Sequence, residues 1–171
     1  ELSGMISGAD EEVKVQVSEN QVLFIFGNTH FYSRLLEGNY PETSQLIPTT
    51  ADTTMELEAG TFLASIERAS LLSHESRNDV VKLTLQPASN RVQISSDSPD
   101  IGTVQEEEAT TALDGQDLEI SFNPNYMKDA LRSFGQATIK ISFTSPLRPF
   151  TLVPTEDKEN FVHLITPVRT F

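Results

Sequence analysis

Apolar and polar positions alternate over residues 55–59, where Met55, Leu57 and Ala59 are separated by Glu56 and Glu58, and the spacing then changes to that of a helix. Gly60 and Thr61 open this helix, and Phe62, Leu63, Ile66 and Ala69 form its apolar face. The same change of period returns over residues 117–134. Leu118, Ile120 and Phe122 alternate as a strand, Asn123-Pro124 supplies an N-cap with proline at the first helical position, and Tyr126, Met127, Ala130, Leu131 and Phe134 share one helix face. Strand-like runs come after each helix, at 80–85, 91–95 and 102–109 for the first and at 138–143, 149–153 and 161–166 for the second. Any two amphipathic helices after strands look alike in pattern. The matching order of the downstream strands predicts an internal duplication, a strand–helix–three-strand unit used twice inside one domain.

Upstream of the repeats, residues 13–17 alternate, 21–26 are mostly apolar and 29–36 form a third run, with Glu19-Asn20 and Gly27-Asn28 as turns. This predicts an antiparallel meander without a helix of its own. Three strands alone bury little, so residues 1–48 are expected to belong to a larger domain whose beginning is absent. Glu1-Leu2-Ser3-Gly4-Met5 carries neither an initiator methionine nor a targeting pattern, and the chain reads as part of a longer protein. Residues 37–54 hold Gly38, Pro41 and Pro48 among few apolar side chains and read as a crossing segment. Its apolar island, Leu46-Ile47-Pro48, must pack on something, either its own domain or a partner. The end of the chain, residues 161–171, is too apolar for a loose tail.

Composition narrows the function. With no cysteine among 171 residues there is neither a disulfide framework nor a thiolate metal site, which fits a reducing cytoplasm. No apolar run is long enough for a membrane span or a signal peptide. His30, His74 and His163 stand without ligand spacing, no glycine-rich phosphate loop or nucleophile elbow occurs, and the carboxylates make no acid/base pair. Neither a catalytic residue nor a metal or cofactor is expected.

The formal charge of −13, from 25 acidic and 12 basic residues, disfavours a nucleic-acid partner unless the bases are concentrated locally. Lys128 and Arg132, four apart, lie opposite the apolar face of the second helix, and Arg68 falls on the outer side of the first. Asp129 sits beside the pair, so the face is either an ordinary solvated one or a polyanion contact. Leu71 and Leu72 at the end of the first helix predict a protein contact or a covering loop. The acidic tract of residues 97–108 reads as a solvated edge that resists aggregation.

Several segments, in order across nearly the whole chain, resemble those of the bacterial DNA polymerase sliding clamp, the beta subunit of the replicative polymerase. They are Leu36-Glu37-Gly38-Asn39-Tyr40-Pro41 leading to Leu46-Ile47-Pro48, Ile66-Glu67-Arg68-Ala69-Ser70-Leu71-Leu72-Ser73, Phe122-Asn123-Pro124-Asn125-Tyr126, Arg148-Pro149-Phe150, and Leu164-Ile165-Thr166-Pro167-Val168-Arg169. The resemblance implies an α+β DNA-clamp fold, with duplicated strand–helix–three-strand units, antiparallel sheets outside and two helices lining a DNA channel. It implies that residues 1–48 end the middle of three similar domains and that 49–171 form the third. Full-length subunits of that family close head to tail into a homodimer ring around duplex DNA.

By the same resemblance Arg68, Lys128 and Arg132 face the DNA without reading bases. Leu71 and Leu72 pack across the subunit interface, and Gln105, Glu106 and Glu107 lie on the strand that pairs with the partner subunit. A groove between the second and third domains takes short apolar-anchored peptides of the polymerase, the clamp loader and repair proteins. Its matched positions are Pro41, Gln45 and Leu46 from the crossing segment and Asn123 and Tyr126 from the second helix. Leu164, Ile165, Thr166, Pro167, Val168 and Arg169 complete it from the tail. Gln45 stands where the family often has arginine, so polar contacts at that edge differ. The function expected is that of a non-enzymatic processivity ring in the cytoplasm. Competing readings are an acidic β-rich protein-interaction or adhesion module without a nucleic-acid partner, and a carboxylate-dependent hydrolase.

Overall fold

The computed structural model describes residues 2–7, 12–40, 42–73, 80–98, 102–156 and 161–170, with the side chains of residues 72 and 73 outside the description. The chain divides into two compact units, Glu1–Glu42 and Thr43–Phe171.

In the first unit a short helix, α1 (Leu2–Ile6), precedes β1 (Lys14–Val17), β2 (Gln21–Phe26) and β3 (Thr29–Arg34). The strands form the expected antiparallel meander in the order β1-β2-β3. Gly27, at φ 52°, makes the tight β2–β3 turn, and Phe24 meets its cross-strand partner Phe31 at 6.2 Å between ring centres. Phe26 alone of the described residues here is buried, so the unit has almost no core of its own. Contrary to the expectation of a meander without a helix, α1 precedes it: this five-residue helix has no buried residue and left no periodic signal in the sequence.

The second unit contains the two repeats. The first is β4 (Thr53–Glu58), α2 (Ala59–Ser73), β5 (Val81–Gln86), β6 (Arg91–Ser98) and β7 (Gly102–Glu108). After an extra strand, β8 (Ala112–Gly115), the second runs β9 (Leu118–Phe122), α3 (Pro124–Phe134), β10 (Thr138–Phe143), β11 (Phe150–Pro154) and β12 (His163–Ile165). The sheets have the orders β12-β11-β10-β4-β8 and β7-β6-β5-β9, antiparallel throughout. Each repeat therefore lends its leading strand to the other. β4 pairs with β10, setting Met55 opposite Ile141, and β9 pairs with β5, setting Ile120 opposite Leu83. The two repeats consequently share one core and cannot come apart as separate domains.

That core gathers the inward positions of both sheets and both helices: Met55 and Leu57, Phe62, Ile66 and Ala69, Leu83 and Ile94, Ile120 and Phe122, Met127 and Leu131, Ile141, Phe143 and Phe150. Phe150 touches Phe122 edge-on at 5.9 Å and Phe143 at 5.1 Å, so the two sheets meet through aromatic rings. Each such side chain contributes about 1.5–3 kcal/mol relative to exposure.

Three details differ from the pattern-based expectation. The first helix starts one residue earlier, at Ala59, because Ala59 is already buried in the core. β8 was not anticipated, since Ala112-Leu113-Asp114-Gly115 buries only Leu113. It closes onto β4 where Gly115, at φ +113°, leaves room that a Cβ would take from the Asp52 carbonyl oxygen. Tyr126, at the edge of the helix stripe and in its first turn, is 64% exposed while Met127, Ala130, Leu131 and Phe134 are buried.

Candidate functional site

The outer surfaces of the second unit divide into a helix pair, an edge strand and a tail. Helix α3 is framed by its caps. The Asn123 side chain accepts a hydrogen bond from the Asn125 N–H at 2.8 Å, Pro124 takes the first helical position, and Gly135 ends the helix at φ 61°. With both apolar stripes turned to the sheets, α2 and α3 lie side by side and their polar faces merge.

Two of the three bases meet on that merged face. Arg132 reaches across to Glu67 of α2 at 2.9 Å and also pairs with Asp129 at 3.3 Å, while Lys128 Nζ donates to Ser70 Oγ of α2 at 3.3 Å. Arg68 turns away from these two, toward β7. Its Nε and Nη2 donate to the Glu106 carboxylate at 2.9 and 2.7 Å, and Nη2 also donates to the buried Ser65 hydroxyl at 3.0 Å. Both arginines are thus compensated by carboxylates, and Lys128 forms no ion pair among the described residues. The side chains of Arg68 and Arg132 remain more than half exposed, so the strip is open to solvent.

β7 ends its sheet, and among the described residues no strand pairs with its outer side. Its register against β6 sets Glu106 opposite Ile94 and Glu108 opposite Val92, on the core side. Gln105 and Glu107 stand opposite Ser95 and Gln93 on the other face, where Glu107 pairs with Arg91. The strand's alternation therefore separates Glu106 from Gln105 and Glu107. Leu71, one turn beyond Arg68, is 71% exposed. The Leu72 side chain and His74 lie outside the described residues.

The tail is held at two points. β12 pairs with β11, setting Leu164 opposite Thr151 and Ile165 opposite Phe150, and Ile165 is buried in the core while Leu164 is half-buried. Farther on, the Val168 N–H donates to the Ser121 carbonyl at 2.7 Å, and the Ser121 and Thr170 hydroxyls lie 3.4 Å apart. These bonds bring Pro167, Val168 and Arg169 beside the strand that leads into Asn123 and Tyr126. Ser121 carried no signal in the sequence, because a backbone acceptor has no residue preference.

His163 anchors the same strand from behind. Its ring stands edge-on to Phe134 at 5.4 Å and to Phe161 at 5.0 Å, and Nε2 lies 2.8 Å from Ser133 Oγ. The Ser133 hydroxyl donates to the Ala130 carbonyl at 2.6 Å, so its oxygen accepts from Nε2–H. Burial pushes the imidazole below its ordinary pKa.

In the crossing segment Gln45 ends a short 3-10 turn, Thr43–Gln45, and Leu46, 52% exposed, closes it with a hydrogen bond to the Thr43 carbonyl. Pro41 lies outside the described residues. Ile47 and Pro48 line a cavity of about 370 Å³ together with Ser142, Thr151, Val153 and Val162, so this part of the apolar island packs on its own unit. The Thr144 hydroxyl, bonded to the Thr50 carbonyl at 2.9 Å, ties the segment down. Among the described residues no group of three or more His, Asp or Glu side chains is placed to hold a metal, and no helix is long and apolar enough to cross a membrane.

Two family descriptions match the chain in succession: "DNA polymerase III beta subunit, central domain" over residues 1–42 and "DNA polymerase III beta subunit, C-terminal domain" over residues 44–169. The beta sliding clamp of Bacillus subtilis (strain 168) is 47% identical over 171 residues, covering 100% of this chain and 45% of that one. That of Streptococcus pneumoniae serotype 4 is 45% identical over 170 residues, covering 99% and 44%. The crystal structure of the B. subtilis sliding clamp superposes with a TM-score of 0.89 at 46% identity, covering 99% of this chain and 44% of that one. This chain thus spans 45% of the length of the first of these relatives. Its exchanged-strand α+β architecture is the DNA-clamp fold, and the chain belongs to the beta-subunit family of DNA polymerase III, the bacterial sliding clamps.

Proposed function

We propose that this chain forms the later part of a processivity clamp of bacterial DNA replication, a non-catalytic ring that encircles duplex DNA and tethers polymerase to it in the cytoplasm. The observation that carries the reading is the end-to-end likeness to sliding clamps through both units. The helix pair supports it: Lys128 and Arg132 lie together on the merged face of α2 and α3 in a chain whose net charge is −13. Lys128 and Arg132 would meet phosphates, and Arg68, held toward Glu106, keeps its side chain more than half exposed. A ring held by topology needs few contacts and no base readout, and the carboxylates elsewhere keep DNA off the outer surface.

Closure needs a second full-length copy, joined head to tail through Leu71, Leu72 and the β7 edge, where Gln105 and Glu107 face outward and Glu106 is held back against α2 by Arg68. Partner peptides from polymerase, clamp loader and repair proteins would dock at the tail beside the strand that leads into α3, with the crossing segment contributing. By the likeness this docking surface would draw on Gln45, Leu46, Asn123 and Tyr126, with Leu164, Thr166, Pro167, Val168 and Arg169 from the tail, and on Pro41, which lies outside the described residues. Ile165 supports it from within the core.

Burying one Leu or Phe anchor contributes about 1.5–3 kcal/mol, or roughly 10- to 150-fold in affinity. In the full-length protein, Leu46→Ala or removal of residues 168–171 should weaken a fluorescent clamp-motif peptide by about tenfold or more in an anisotropy titration. Unchanged affinity would refute this groove. A parent that binds no such peptide would favour an interaction module of another kind.

A further inference from the structure

Arg68 differs from the other two bases of the helix pair. Its guanidinium is forked onto Glu106, with Nε–H and Nη2–H both donating to the carboxylate, and it is braced by the buried Ser65 hydroxyl. Fork-shaped pairs of this kind fix direction as well as distance. Hydrogen bonds from Arg68 hold the Glu106 carboxyl below its ordinary range. Glu106 lies in the middle of the unpaired edge strand, within the run Gln105-Glu106-Glu107-Glu108. On the clamp reading that strand approaches another chain with its backbone groups free, and a carboxylate left uncompensated along it adds negative charge at the contact. Glu107 is compensated by Arg91 on the outer face, and Glu106 by Arg68 on the helix face.

We propose that Arg68 is a positioning residue for the pairing edge: it fixes Glu106 against α2, keeping β7 partly neutralised for a second copy of the full-length chain. The role rests on the clamp reading above. It separates Arg68 from Lys128 and Arg132, whose bonds among the described residues lie between or within the two helices.

The test is subunit exchange in the full-length protein, followed by energy transfer between differently labelled copies. Arg68→Gln should speed exchange about tenfold, since Glu106 is left uncompensated at the edge. Lys128→Gln and Arg132→Gln should stay within about twofold of the parent. Arg68→Lys, which keeps the charge and loses the fork, should fall between. The decisive variant is the double one, Arg68→Gln with Glu106→Gln: removing the stranded carboxylate should return exchange to within about threefold of the parent. A double variant as fast as Arg68→Gln alone would overturn the role, as would an Arg68→Gln no faster than Lys128→Gln. If the unsubstituted protein is monomeric, the clamp reading itself falls, and this role with it.

Discussion

In the first repeat the closing strand, β7, carries Gln105, Glu106, Glu107 and Glu108 along an unpaired edge, whereas the closing strand of the second, β12, carries His163, Leu164 and Ile165 and runs on into Thr166, Pro167 and Val168. The strands before them are nearly interchangeable. β5 and β10 each put three apolar residues into one core, and each pairs with the leading strand of the other repeat. The contrast lies in how the last strand is held. An arginine fork from α2 turns one carboxylate of β7 inward, while aromatic rings from α3 and the loop before β12 fix the back of the tail. A duplicated core thus presents two unlike borders, a charged edge and a largely apolar tail, to which the proposed function gives a second copy and a peptide respectively.

The sharpest way to break this comparison is to attack the shared core from each repeat in turn. Phe62→Ala in α2 should cost about 3–5 kcal/mol and Met127→Ala in α3 about 2–5 kcal/mol. Urea denaturation should show a single transition for the second unit in both cases, because the exchanged strands bind the repeats together. Two separate transitions would mean that the repeats fold independently. Gly115→Ala, which forces a Cβ toward the Asp52 carbonyl at positive φ, should cost about 1–3 kcal/mol by the same measurement.

The tail's anchor comes next. Each edge-to-face ring pair is worth about 0.5–1.5 kcal/mol, so His163→Ala should lower stability by about 1–2 kcal/mol and speed amide exchange in residues 163–168 above all. The pH dependence has a definite sign. The folded pKa of His163 lies below the ordinary 6.5, so the unfolded chain binds its proton first. This contribution to stability is fully present above that value and declines as pH falls through it and through the lower folded pKa. Thermal unfolding of His163→Phe should lack this part of the decline. A parent whose stability is flat across that window would show that the ring is not desolvated.

Smaller effects sharpen the picture of the helix pair. Asn123→Ala removes the α3 cap and should cost about 1 kcal/mol in thermal unfolding. Glu67→Gln breaks an exposed cross-helix pair and should change stability by about 1 kcal/mol or less. A larger loss would make that bridge part of the fold rather than a feature of its surface.

The same physics decides which elements were legible in the sequence and which were hidden. Met55 and Leu57 announce β4 because one face is more deeply buried than the other, Leu118, Ile120 and Phe122 announce β9 because the residues between them are polar although Ser121 is buried too, and the helices announce themselves by their stripes. The exchange of leading strands is invisible in that pattern, since period two says which face is buried and nothing of which strand lies alongside. β8 went unseen because it buries a single large apolar side chain. Arg68 was legible as an outward base on α2, but its partner is 38 residues away on another element, and no local spacing pairs it with Glu106. The tail's apolar residues marked it as docked; the bonds that dock it, from Val168 to a Ser121 carbonyl and from His163 to Ser133, involve backbone and small polar groups that carry no pattern.

Encirclement is the claim on which the functional account depends, and retention on circular DNA tests it most directly. The full-length protein would be loaded onto a nicked circular plasmid and monitored at a salt concentration that suppresses phosphate contacts. The account predicts that it stays bound to the closed circle and is lost promptly once a restriction enzyme opens the DNA. Equal retention on circular and linear DNA, or none on either by a correctly loaded and folded dimer, would contradict it.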